Sequence, residues 1–200
     1  NVRLALRLPA VREIVPVAPG AAEVESRGQA LPAVPLALAR GRSHGDRRAA
    51  LAERLSQLDP AGAAGYGARL GQFRSRLAEA SARWQAALAA VKGRKVVIHH
   101  NSLTYFLDWS GLGLAAVLEP KPGVPPPPSH LADVVGVVKR DGVKAVLVEN
   151  YYDPKSGELV ARLGGAKLVM IPGDVGGAPE ATGYVEYMDA LVRLVSQALR

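Results

Sequence analysis

The chain has no cysteine. Disulfides and thiolate metal sites are therefore excluded, and any metal would have to be held by His, Asp, Glu, backbone or water. Such donors suit Zn²⁺, Mn²⁺ and similar ions. The absence of cysteine does not choose between cytoplasm and an oxidising compartment. Aromatic residues make up only 5% of the chain. None interleaves with the arginines in an RNA-reading pattern, so nucleic acid is not expected as a partner. No apolar run approaches the roughly 18 residues that cross a bilayer. The opening Asn1-Val2-Arg3-Leu4-Ala5-Leu6-Arg7 does not read as a signal peptide, because arginine interrupts the apolar stretch. No serine sits on a nucleophile elbow. Gly111-Leu112-Gly113 precedes a strand pattern instead of following one, which argues against a dinucleotide fingerprint.

What is present is enough for one α/β core, or for one lobe of something larger: 200 residues, 48% of them hydrophobic. The net charge is +7, and residues 1–50 hold eight arginines against four acidic residues. Prolines at 9, 16, 19, 32 and 35 break every candidate element at the start. Residues 1–45 are accordingly read as an irregular extension, or as sequence foreign to the rest of the chain. Residues 46–93 read as a helical region and residues 94–200 as an α/β lobe.

In the helical region, Leu51, Leu55 and Leu58 lie at helical spacing, and Asp59-Pro60 ends that pattern. A longer stripe comes next: Tyr66, Leu70, Phe73, Leu77, Ala80, Trp84, Leu88 and Val91, in steps of three and four. Asp59 suits an N-cap with Pro60 in the first turn, and Gly93 closes the run. A helix of about 30 residues would be about 45 Å long.

After Gly93 the pattern alternates. Strands are expected at Lys95–His100, Leu114–Glu119, Val143–Glu149 and Lys167–Ile171. Helices are expected at Ser102–Trp109, from Ser129 to Arg140, at Pro154–Leu163 and from Pro179 to Leu199. Short apolar strands separated by helices indicate α/β architecture: a four-stranded parallel sheet with helices on both faces, flavodoxin-like in its winding and preceded by the long helix.

Ligands of such sheets bind beyond the carboxyl ends of the strands. Those ends carry His99-His100, Glu119 and Glu149, with Asp174 just past the fourth strand. Adjacent residues on a strand face opposite ways, so only one of the two histidines is expected to face a given site, and position favours His100. Glu119 and Glu149 read equally well as helix caps or surface pairs.

These segments resemble one family. Leu58-Asp59-Pro60 with the long amphipathic helix resembles the interlobe region of the metal-specific solute-binding proteins of ABC importers. Val97-Ile98-His99-His100-Asn101-Ser102-Leu103-Thr104-Tyr105-Phe106 is similar to that family's strand–His–helix motif, in which His100 takes the metal-binding place. Glu119-Pro120-Lys121-Pro122-Gly123-Val124 resembles its EPKPG segment. Val148–Tyr152 and the helix holding Tyr184–Met188 fit as well. The resemblance runs from the helix before Asp59 to the end. His44, the one histidine before it, shares nothing with the family's N-terminal ligand motifs.

The resemblance implies a C-terminal lobe that captures Zn²⁺ or Mn²⁺ with His100 and Asp174. The metal is cargo and not a catalytic cofactor. The resemblance further implies a monomeric periplasmic or membrane-anchored protein whose partner is the importer's membrane permease, and no enzymatic activity. Two other readings stand beside it: a flavodoxin-like interaction or regulatory module without metal, and an enzyme using Glu119 and Glu149 as acid and base.

Overall fold

The computed structural model describes residues 44–200 except Pro122, together with 25–26 and 29–30. Most of the segment read as an irregular extension therefore lies outside the described residues. Within it, two-residue strands β1 (Glu25–Ser26) and β2 (Gln29–Ala30) pair antiparallel. The chain divides into two compact units, Asn1–Arg74 and Ser75–Arg200.

The first unit holds α1 (His44–Leu58) and the beginning of α2 (Ala63–Ala89). Leu51, Leu55 and Leu58 of α1 are exposed. Between the helices Asp59 does two jobs. Its Oδ1 accepts from the Gly62 N–H at 3.2 Å, capping a short 3₁₀ turn over Pro60–Gly62, and its Oδ2 accepts from the Tyr66 hydroxyl at 2.8 Å. The LDP segment is thus a helix start, as the spacing predicts.

α2 runs without a break past Ala80, and the boundary between the two units falls inside it. In the second unit, Ala80, Trp84, Leu88 and then Val91 of the expected stripe are buried. The Trp84 indole N–H donates to Asp189 Oδ1 at 2.6 Å, which ties this helix to the last one.

The second unit is a parallel sheet of β3 (Lys95–Ile98), β4 (Gly113–Val117), β5 (Ala145–Glu149) and β6 (Lys167–Ile171), in the order β4-β3-β5-β6. α3 (Thr104–Ser110), α4 (Pro128–Asp141), α5 (Lys155–Gly164) and α6 (Tyr184–Leu199) come after the strands in turn. Strand residues alternate between two cores. Val96, Ile98, Ala145, Leu147, Val169 and Ile171 pack with α2, α3 and α6. Val97, Val146 and Val148 pack with α4 and α5 on the other face. Burial on both faces explains why the strands read as continuous apolar runs. No described helix is long and apolar enough to cross a membrane.

Several boundaries differ from the sequence reading; β4, for one, stops at Val117, two residues before Glu119. β3 stops at Ile98, before the histidines. α4 begins at Pro128 with Pro127 as its cap, so Ser129 is not the capping residue; proline tolerates the first turn because its missing N–H would be unpaired there anyway. The last helix begins at Tyr184, because residues 174–183 close their own turns: Gly176 N–H donates to Ala181 O at 2.7 Å and Gly177 N–H to Asp174 O at 2.9 Å.

α5 approaches the sheet closely at Gly157. A Cβ there would lie 2.8 Å from Val148 Cγ2 and 2.9 Å from Leu168 Cδ1. Gly157→Val is therefore expected to cost about 1–3 kcal/mol through overpacking, seen as a thermal midpoint several degrees lower. An unchanged midpoint would show that the α5–sheet contact is looser than this.

Candidate metal site

The strand order sets the site's position. The chain leaves β3 for β4 on one side and returns to β5 on the other, so the winding reverses at β3. His99 and His100 come directly after β3 at this switch point. Pairing between β3 and β4 carries a one-residue irregularity after Val96: Val96 faces Leu114, but Val97 faces Ala116. That shift brings Glu119 level with the histidines, and the Glu119 N–H donates to the His99 carbonyl at 2.9 Å.

Both histidines lie in a bend, where strand alternation no longer applies. Their rings meet edge-on with centroids 4.7 Å apart, and His99 stacks on Tyr152 at 4.3 Å. Glu119 Oε2 sits 3.1 Å from His100 Nε2 and 3.7 Å from His99 Nε2. The expectation that only one histidine faces the site is corrected here: the strand ends one residue too early to separate them. Among the described residues, His99, His100 and Glu119 form a group whose potential ligand atoms lie within 4.8 Å of one another.

The hydrogen bonds define the chemistry. His100 Nδ1 lies 2.8 Å from the Glu119 carbonyl. A carbonyl only accepts, so Nδ1 carries the proton and Nε2 is the atom turned to the Glu119 carboxylate. Metal-ligating histidines are oriented in this way, by giving their other N–H to a carbonyl or carboxylate. Ligands around tetrahedral zinc at about 2.0–2.1 Å would be about 3.3 Å apart. The observed 3.1 and 3.7 Å bracket that spacing.

Burial is the main influence on His99 and lowers its pKa below the ordinary imidazole value. His100 pushes the same way, whereas the carboxylates of Glu119 and Glu149 oppose it. The sign of the consequence comes from linkage. The unfolded chain takes up a proton near pH 6.5, but the folded imidazole resists it. Stability is then fully present above about pH 6.5 and is lost as the pH falls below it. The metal-free chain should show this acid limb in denaturant titrations, and His99→Gln should flatten it. An unchanged limb in the variant would assign the acid sensitivity elsewhere.

The other sequence candidates stand outside this group. Glu149 is 2% exposed; Ser102 Oγ donates to its Oε1, and its Oε2 has no partner. Asp174 is exposed in the loop after β6, where its Oδ1 accepts from the Val175 N–H at 2.7 Å; the structure does not bring it into the three-residue group. Its charge reaches Tyr187, whose phenol is raised by burial first, then by Asp174 and Glu149. The His130 ring contributes to packing: its Nε2 donates to the Val117 carbonyl at 2.9 Å.

The lobe is thus a doubly wound α/β layer with two imidazoles and a carboxylate grouped at its switch point, donors that could hold a metal ion. The chain belongs to the ZnuA family, described as zinc-uptake complex component A, periplasmic, whose pattern matches residues 48–198. The resemblance carried by the LDP, histidine and EPKPG segments is thereby borne out. A high-affinity zinc uptake system protein ZnuA of Paracoccus denitrificans (strain Pd 1222) is 26% identical over 155 residues, covering 76% of this chain and 46% of its own. The chain thus spans about half the length of this curated relative. Among solved structures, the solute-binding protein FpvC of Pseudomonas aeruginosa in complex with Mn²⁺ is 26% identical, with a TM-score of 0.62, covering 78% of this chain and 59% of its own. The laminin-binding protein Lbp of Streptococcus pyogenes shares the fold, with 22% identity, a TM-score of 0.64 and coverage of 78% and 61%. The family is one of transport components, and the reading as a metal-free module is not favoured.

Proposed function

We propose that this chain captures Zn²⁺ in the periplasm for delivery to the membrane permease of an ABC importer. One observation carries the reading. Because His100 Nδ1 must hold its proton against the Glu119 carbonyl, Nε2 faces a carboxylate oxygen at 3.1 Å. A proton or a metal ion has to sit between two such lone pairs. His99 Nε2 on the same oxygen makes three donors, enough for a zinc ion with one position left open.

Two imidazoles and one carboxylate suit zinc ahead of manganese. Mn²⁺ remains the competing cargo, supported by the manganese complex of FpvC. Asp174 stands outside the trio and is assigned a contribution of charge at the rim, without direct coordination. Asp174→Ala should therefore leave zinc affinity within about threefold, since one exposed charge is worth little. Competition with a chelator of known affinity, run with Zn²⁺ and Mn²⁺ in turn, tests the reading. Zinc should bind more tightly than manganese, and more weakly as the pH falls, because protons compete for the imidazoles. Failure of both metals to bind would overturn it.

A further inference from the structure

We infer that Tyr152 is a positioning residue for the metal site: its ring, backed by the core of the sheet, sets the plane of the His99 imidazole and so aims Nε2 at the place of the ion. This rests on the metal-capture reading above and extends it to a residue outside the proposed ligands. The His99 ring needs a support from elsewhere in the chain. It lies past the end of β3, where the pleat no longer directs it. The last torsion of a histidine is broad, so rotamer preference does not fix the ring plane either. Hydrogen bonds do not hold it. Nδ1 has no partner among the described residues, and Nε2 stands 3.7 Å from Glu119 Oε2, beyond hydrogen-bond reach. His100 differs, because its Nδ1 is tied to the Glu119 carbonyl at 2.8 Å.

The support is the Tyr152 ring. It stacks on His99 with centroids 4.3 Å apart and planes 21° apart. The same ring meets His100 edge-on, at 4.7 Å and 73°. Tyr152 is thus one wall shared by both imidazoles, which stand at 86° to each other. The wall is fixed from behind. The Tyr152 N–H donates to the Glu149 carbonyl at 3.0 Å, and its side chain packs against the core cluster that holds Val97, Leu118 and Val148. Stacking leaves the His99 ring only the half-turn about its Cβ–Cγ bond. Binding selects between the two ends of that turn, because a metal takes the nitrogen and not the C–H. Without the flat face the ring can also leave the plane in which Nε2 meets the carboxylate, and binding must then order it again.

The test uses the full chain with zinc alone. Chelator competition reports affinity. Proton spectra without metal report whether the His99 ring protons, assigned against His99→Ala, are shifted upfield by a stacked phenol. They should be shifted in the parent chain. Tyr152→Leu keeps apolar contact with the core but has no flat face. It should lose the shift, and zinc affinity should fall about 10–100-fold. Tyr152→Phe should keep the shift and rescue affinity to within about threefold of the parent, below the range that loss of an orienting group costs. In the His99→Ala background, Tyr152→Leu should cost less than about threefold, because the group it orients is already gone. If the leucine chain does not fold, Tyr152→Met repeats the comparison with a side chain that adapts to the same space. Unshifted His99 protons in the parent would overturn the inference. So would a flat-face deletion that leaves affinity within threefold, a phenylalanine chain that loses tenfold, or an equal fall with and without the His99 ring. The metal-capture reading fails separately, if the parent chain does not bind zinc or if His100→Ala binds it equally well. The metal-free ring-proton shifts still decide in that case whether Tyr152 sets the His99 ring.

Discussion

His100→Ala should lower zinc affinity by a hundredfold or more. Changes to groups that merely orient a ligand cost 10–100-fold, and this substitution removes one of the three proposed donors outright. It also removes the ring that fastens the turn to the Glu119 carbonyl. His99→Ala and Glu119→Ala should each weaken binding substantially, leaving two donors in place. His130→Ala should leave affinity unchanged, because its ring is committed to the Val117 carbonyl. Chelator competition across the four variants gives the ranking. Binding by His100→Ala at the parent level would remove the site from these residues.

The second large effect concerns the fold. Trp84 is 3% exposed, meets the Trp109 ring at 6.1 Å and donates its N–H to Asp189. Trp84→Ala empties that place in the core and leaves Asp189 without its indole partner. The cost should be about 3–5 kcal/mol. For a chain of this size that is a fall of about 6–20 °C in the thermal midpoint. Trp84→Phe, which keeps most of the apolar volume and loses the hydrogen bond, should cost less. A fall below about 3 °C for alanine would mean that α2 does not carry the core as described.

Much of this architecture is legible in the sequence because the physics involved is local. Trp84, Leu88 and Val91 recur at helical spacing, and that stripe is the buried side of α2 in the second unit. Val146 to Val148 read as a strand because both faces of β5 are covered. Asp59 and Pro60 mark a helix start through capping chemistry that depends on neighbours alone. The α1 leucines show the limit of periodicity, since helical spacing shows that a stripe exists and not that something covers it.

The site is legible only in part. His100 and Glu119 stand out because they end successive strand patterns. Their meeting depends on the slip between β3 and β4 after Val96, and nothing in the apolar run Val96–Ile98 marks that slip. Strand alternation sets His99 aside, and it fails once the strand stops at Ile98. One signal brings His99 back: two adjacent histidines directly after an apolar strand are both polar where the run ends, so neither is placed by the pleat. Resemblance to a loop position brings Asp174 forward, whereas the turns closed by Gly176 and Gly177 hold it at the surface.

The central claim is that one ion is held between the two histidines and Glu119. A crystal of the zinc-loaded chain, measured above and below the zinc absorption edge, locates the ion without reference to any assumed ligand. The account predicts one anomalous peak within about 2.0–2.2 Å of His99 Nε2, His100 Nε2 and a Glu119 carboxylate oxygen. A peak elsewhere, or one that touches His100 while His99 and Glu119 bond to each other, would contradict it.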